Sequence, residues 1–378
     1  IQNNDLDRYN FSVRNTTSML NDKLTMDLSF MYSNVKEQNM LSQGEYANPL
    51  VPVYLFPRGD DFSKYQYYER YDVDRNIKTQ FWPLKENGLS MQNPYWITNR
   101  NMYTNKKDRF LASGSLKYTI TDWLNVSGRV KLDKETINSE KKMYASTLNV
   151  IAENSDKGAY VQSNKNTSQI YADAMLNINK YFYHDTWNLT ASLGASLLDL
   201  DYKELNFGGG LLTIPNLFTS NNANVSGKLT YKNTNYHDRT NSLFGTFSLG
   251  YKGMVYVDGS LRNDWISALA GTNHSSILYP SIGASAILTN MFTMKSNILS
   301  YAKVRLSYSE VGNAPERFRA ITTYAVLGGL NTTSYFPIKD LKPERTHSWE
   351  GGFNLGLFDN KLTLDVTAYK LSLIHISE

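Results

Sequence analysis

The chain has no cysteine among its 378 residues. That excludes a zinc–thiolate site and a cysteine nucleophile, and a secreted protein of this size needs no disulfides. No apolar run approaches the roughly 20 residues of a membrane-spanning helix. Only five histidines are present: His184, His237, His274, His347 and His375. None stands at ligand spacing from another or from a suitable carboxylate, so no metal site is expected. There is no P-loop, no nucleophile elbow and no dinucleotide-binding glycine run. Gly208-Gly209-Gly210 is not followed by a phosphate-binding helix. No catalytic residue and no cofactor are therefore expected, and the chain reads as something other than an enzyme. Lys and Arg (39) nearly balance Asp and Glu (35) with no basic block, which argues against a nucleic-acid partner.

Aromatic residues, in contrast, are abundant: 27 Tyr, 16 Phe and 6 Trp. Hydrophobic residues make up 41% and charged residues 20%, so the chain is not disordered by composition. The mean hydropathy is nonetheless polar. A transmembrane β-barrel reconciles the two, because only alternate residues of each strand face lipid.

The dominant period is two. Leu124, Val126, Gly128, Val130 and Leu132 alternate with Asn125, Ser127, Arg129, Lys131 and Asp133. Leu189, Ala191, Leu193, Ala195 and Leu197 alternate with polar or small residues, as do Ala302, Val304, Leu306 and Tyr308. Such strands have one apolar and one polar face. Many sustain the pattern over about ten residues, the length that crosses a bilayer with tilt. Short turns join them at Thr121-Asp122, Lys252-Gly253, Asp359-Asn360, Asn21-Asp22, His184-Asp185 and, more loosely, around 290–299. Long connections over 36–105, 134–165, 203–238, 265–276 and 313–344 alternate with those turns. Six hairpins give about twelve strands, with every long connection at one end, the asymmetry of outer-membrane barrels.

The first long connection carries five prolines and a dense aromatic set. Tyr65, Tyr67, Tyr68, Trp82, Tyr95 and Trp96 are the candidate substrate-binding residues, because Tyr and Trp faces stack on sugar rings while their edges hydrogen-bond. The alternative is that they pack the loop against itself or a partner.

Several motifs carry a family resemblance. Asn93-Pro94-Tyr95-Trp96, followed by Lys107-Asp108-Arg109-Phe110, leads into a strand. Arg262-Asn263-Asp264-Trp265 precedes Tyr279-Pro280-Ser281. Residues 304–313 read VRLSYSEVGN and include Gly312 and Asn313. Leu341-Lys342-Pro343-Glu344 precedes Trp349-Glu350 and Leu364-Asp365-Val366. In this order they resemble the SusC/RagA group of TonB-dependent transporters over roughly residues 90–370. The motif residues themselves read as architectural.

The resemblance implies an all-β fold: a partial antiparallel transmembrane barrel, about 12 of about 22 strands, with long extracellular loops and short periplasmic turns. It implies a bacterial outer-membrane location, surrounding lipid, energy from TonB and a SusD-like surface lipoprotein as lid. The cargo would be a glycan or a peptide. Residues 1–370 are expected to be barrel, with no plug domain in the chain and more sequence upstream. Residues 371–378 resemble translated read-through, a non-native tail. A passive porin or adhesion barrel and a soluble β-rich carbohydrate-binding module are the alternatives.

Overall fold

A computed structural model describes residues 2–39, 44–84, 91–224, 231–292, 298–321, 324–326, 330–332 and 340–374. The strands are β1 (Asp5–Met19), β2 (Leu24–Gln38), β3 (Glu69–Asp72), β4 (Ile77–Gln80), β5 (Asn101–Thr121), β6 (Leu124–Tyr144), β7 (Gly158–Phe182) and β8 (Trp187–Gly210). They continue with β9 (Tyr231–Tyr251), β10 (Val255–Ile266), β11 (Ser276–Ile287), β12 (Leu299–Asn313), β13 (Tyr324–Val326), β14 (Leu330–Thr332), β15 (Glu344–Leu357) and β16 (Leu362–Ile374). Among the described residues the short α-helices α1 (Leu50–Tyr54), α2 (Pro94–Arg100) and α3 (Leu288–Met291) lie in connections.

Twelve strands form one sheet in the order β1-β2-β5-β6-β7-β8-β9-β10-β11-β12-β15-β16, each antiparallel to its neighbours. The sheet is open, with β1 and β16 at its edges. The small hairpins β3–β4 and β13–β14 belong to long connections. The partial barrel of about twelve strands expected from the sequence is thus the architecture observed. Of the suspected tail, residues 371–374 extend β16, and residues 375–378 lie outside the described residues.

Five short turns fall where the Asp, Asn and Gly signals place them. Three are built alike, from three successive residues with positive φ: Leu20-Asn21-Asp22, Tyr183-His184-Asp185 and Phe358-Asp359-Asn360. Asn and Asp tolerate that region better than most residues, and left-handed turns match the strand twist. The sixth, between β11 and β12, contains α3, and its residues 293–297 lie outside the described residues.

The two faces separate as the alternation requires. Leu193 lies between Leu176 on β7 and Gly245 on β9. Val257 lies between Leu249 on β9 and Ala284 on β11, and Ala284 faces Leu306 on β12. These residues form one apolar surface, and its larger side chains stand clear of the rest of the protein: Leu193 is 58% exposed, Leu306 57% and Ile282 56%. An apolar face of that extent is the face a bilayer covers. At the turn end Phe182, Trp187 and Tyr251 stand in register on the same face, with the Trp187 and Tyr251 rings 4.7 Å apart. Aromatic rings collect at that depth because one side is apolar and one edge wet. Tyr256 has the opposite parity and lies over Gly250 on the other face.

The strands run further than the sequence indicates. Stretches 134–144, 158–165, 203–210 and 231–238 read as loop, yet they are strand. β7 alone has 25 residues, roughly 80 Å of chain against an apolar band about 25 Å tall. Above the band neither face meets lipid, so the apolar alternation stops while the backbone ladder continues. Polar ladders replace it: Asn164 donates to Asn138 (2.5 Å), Thr136 to Asn166 (2.8 Å) and Ser139 to Asn105 (2.9 Å). Gly208 lies in this extension with φ +134°, where a Cβ would collide with the Tyr160 carbonyl.

Leu193→Arg in the full-length barrel is expected to cost about 2–4 kcal/mol of folding stability in vesicles, because it places a charge in lipid. Ser192→Arg, one residue away on the lumen face, is expected to cost far less. Urea titration of both variants in lipid vesicles reads the difference.

Candidate functional site

The lumen face of the sheet is a ladder of ion pairs. Arg109 binds Asp133 with its Nε at 2.9 Å, and Arg129 binds Asp173 at 2.9 Å. Arg14 pairs with Asp27, Lys107 with Glu135 and Arg305 with Asp365. Each partner lies on the neighbouring strand or the next but one. The wall is therefore charged yet locally neutral, which suits a wet interior. Among the described residues no cluster of His, Asp and Glu fit for a metal ion is present.

At the extracellular end the first long connection is knotted onto the next by the Asn93-Pro94-Tyr95-Trp96 motif. Pro94 opens α2, a first-turn position where its missing N–H costs nothing. Asn93 caps that helix: its Oδ1 accepts from the Tyr95 N–H at 2.9 Å. The Asn93 Nδ2 donates to the carbonyls of Tyr65 (2.8 Å) and Phe81 (3.1 Å), and its own N–H donates to Gln80 Oε1 (2.6 Å). Trp96 is fully buried and donates Nε1 to Thr147 Oγ1 at 3.0 Å. Thr147 in turn donates to Asn101 at 2.8 Å. Gln92 donates to the Tyr46 carbonyl and accepts from the Leu148 N–H. The connection after β2 and the one after β6 are thus sewn together by side-chain amides.

The aromatic candidates divide in two. Tyr65 and Trp82 are buried, with rings 5.3 Å apart edge to face and Phe56 beside Tyr65. Trp96 is buried in the knot. Tyr67 is 64% exposed, and Tyr68 and Tyr95 are half-buried. The Tyr65 hydroxyl donates to Asp60 at 2.6 Å. That bond holds the Asp60 carboxyl below the usual carboxylate range, and the Asp61 N–H adds to the effect. The same bond, with burial, pushes the Tyr65 phenol up. Burial alone would raise Glu69, but hydrogen bonds from Lys78 and Arg100 outweigh it and leave this carboxyl low.

The remaining motif residues lie in or just before β10, β11, β12 and β15. Gly312 and Asn313 close β12 opposite Arg345 and Glu344, so the third and fourth motifs meet in one ladder. A Cβ on Gly312 would sit 2.7 Å from the buried Ile277 side chain, which explains glycine there. Pro343 is buried just before β15, with Leu341 and Lys342 half-buried, and Lys342 lies 3.7 Å from Asp340. Asp340 also contacts His274 at 3.1 Å. Arg262 Nε stands 2.7 Å from Asp264 Oδ1, an ion pair without hydrogen-bond alignment, while Arg262 Nη2 donates to Ser242 Oγ at 2.8 Å. Trp265 is exposed on the outer face, and Pro280 faces Leu261 across the β10–β11 ladder.

A protein-family model described as TonB dependent receptor-like, beta-barrel, matches residues 52–373. The chain belongs to this family. Its β-barrels lie in the bacterial outer membrane, and so does this chain. The RagAB peptide transporter shares the fold with TM-score 0.71 and 17% identity, over 97% of this chain and 40% of that one. The ferric-catecholate import receptor Fiu from Escherichia coli K12 gives TM-score 0.55 and 12% identity, over 98% of this chain and 52% of its own. The ferric citrate transporter FecA gives 0.55 and 10%, over 98% and 44%. The chain thus spans about half or less of these receptors. No curated protein matches it in sequence.

The family's members are receptors and transporters. Sequence reasoning found the motif residues but not their partners: Thr147, Gln80 and Gln92 stand in no recognisable pattern, and only tertiary placement gives them roles.

Asn93→Ala removes three side-chain hydrogen bonds and strands the buried Tyr65 carbonyl and the half-buried Phe81 carbonyl, a loss of about 2–3 kcal/mol in loop docking. Limited proteolysis is expected to cut within 44–100 much faster while the strands stay protected. The lowered carboxyls set a pH dependence. Asp60 ionises more readily in the folded loop, so its contribution is complete above its unfolded value and fades as pH falls through the lower folded one. Protease protection of the loop is expected to weaken below about pH 4. Asp60→Asn is expected to flatten that step.

Proposed function

We propose that the full protein imports oligosaccharides or peptides across the outer membrane as a SusC-like transporter energised by TonB. The observation that carries this reading is the family barrel with its polar, ion-paired lumen face beneath a large extracellular loop held in a defined shape. The motif resemblance to the SusC/RagA group and the fold shared with the RagAB peptide transporter favour it. The lid would be a SusD-like surface lipoprotein, and TonB would engage a part of the protein outside this chain. In this reading Tyr67, Tyr68 and Tyr95 offer ring surface to cargo, while Tyr65, Trp82 and Trp96 hold the loop that presents them.

Uptake of labelled oligosaccharides and oligopeptides by cells carrying or lacking the gene is the test. Uptake is expected to vanish on deletion and on collapse of the proton-motive force. Uptake that survives an uncoupler would mark a passive pore and overturn the proposal.

A further inference from the structure

High on the wall formed by β7, β8 and β9, four side chains stack on the lumen face. Lys165 Nζ stands 5.2 Å from the centre of the Tyr202 ring. Tyr202 and Tyr236 are directly paired across β8 and β9, with centroids 4.5 Å apart and planes 11° from parallel. The Arg317 guanidinium closes the column 3.8 Å from the Tyr236 centroid. Its Nε also reaches both oxygens of Asp238, at 2.8 and 2.6 Å.

Arg317 is not part of this wall. It belongs to the connection after β12, and β10 and β11 separate β12 from β9. The connection therefore runs back across two strands to set one guanidinium on β9. Tyr236 and Asp238 are two residues apart, so ring and carboxylate share a face. An aromatic face beside a carboxylate is what a planar cation requires, stacking on one and pairing with the other. Beside the pair is a cavity of about 210 Å³ lined by Ser267, Ala268, Ala270, Phe318 and Ile321. It gives room for the residue next to a bound arginine. Both partners of the ion pair keep solvent exposure, and half-exposed pairs of this kind exchange readily.

We propose that Tyr236 and Asp238 form a guanidinium subsite for an arginine side chain of an incoming peptide, and that Arg317 occupies it until cargo displaces it. This rests on the import reading and narrows it to arginine-bearing peptides. A resident group lowers apparent affinity by the fraction of time it fills the site, so removing it reveals the intrinsic affinity.

The test is calorimetric titration of the detergent-solubilised full-length protein with an arginine-containing tetrapeptide and its citrulline counterpart, which is neutral. Arg317→Ala is expected to tighten the arginine peptide about tenfold and leave the citrulline peptide unchanged. Adding Asp238→Asn is expected to abolish the gain. Unchanged or weaker binding of the arginine peptide to a folded Arg317→Ala variant overturns the proposal. Should that variant misfold, N-acetylarginine amide titrated into the native protein supplies the readout. It is expected to accelerate chymotrypsin cleavage at Phe318, and no acceleration at saturation overturns the subsite. Binding is read without energised cells, so the subsite and import can fail separately.

Discussion

A backbone N–H or carbonyl inside hydrocarbon has no water to bind, so every one must find a partner in the protein. A long antiparallel ladder satisfies that demand, and the rest of the structure follows from it. The strands must be long, neighbours in sequence must pair, and turns must be tight at one end. Side chains then alternate between lipid and lumen with no freedom of register, because a slip of one residue would exchange the faces. Leu193 beside Leu176 on the outside, and Arg129 beside Asp173 on the inside, follow from the registers of β7 with its two neighbours.

Beyond the bilayer the same ladder continues under a different rule. There, Asn, Thr and Ser side chains bond across strands where leucines and valines stood lower down. The extended wall supports the extracellular connections, which are fixed by buried amides rather than by a large apolar core. Asn93, Gln92 and Trp96 between them bind four other segments of chain, at Tyr46, Tyr65, Gln80-Phe81 and Thr147-Leu148. This gives a rigid platform from which Tyr67 projects, and it leaves Arg317 to tie a separate connection to β9.

The membrane part was legible because lipid imposes a strict period on residues such as 189–197, and because left-handed turns select Asn, Asp and Gly. The upper strands were not, since 134–144 and 203–210 meet water on both faces and lose the period. α2 and its cap were hidden within a proline-rich aromatic stretch, although Asn93-Pro94 carries a cap followed by a first-turn proline. Which aromatics are buried depends on partners far away in sequence: Trp96 meets Thr147, and Tyr67 meets no comparable enclosure. The pairing of Arg317 with Asp238 spans 79 residues and leaves no local trace.

The central claim is that one face of this sheet contacts lipid and the other water. The absence of cysteine makes it directly testable, since each introduced thiol is the sole label site within this chain. Spin labels placed one at a time along 189–197 and 302–308 of the full-length protein in vesicles would report accessibility to oxygen and to a polar nickel chelate. The account predicts a period of two, with Leu193 and Leu306 open to oxygen and Ser192 and Ser307 open to the chelate. Equal exposure of both sets to the chelate, with no alternation, would contradict it.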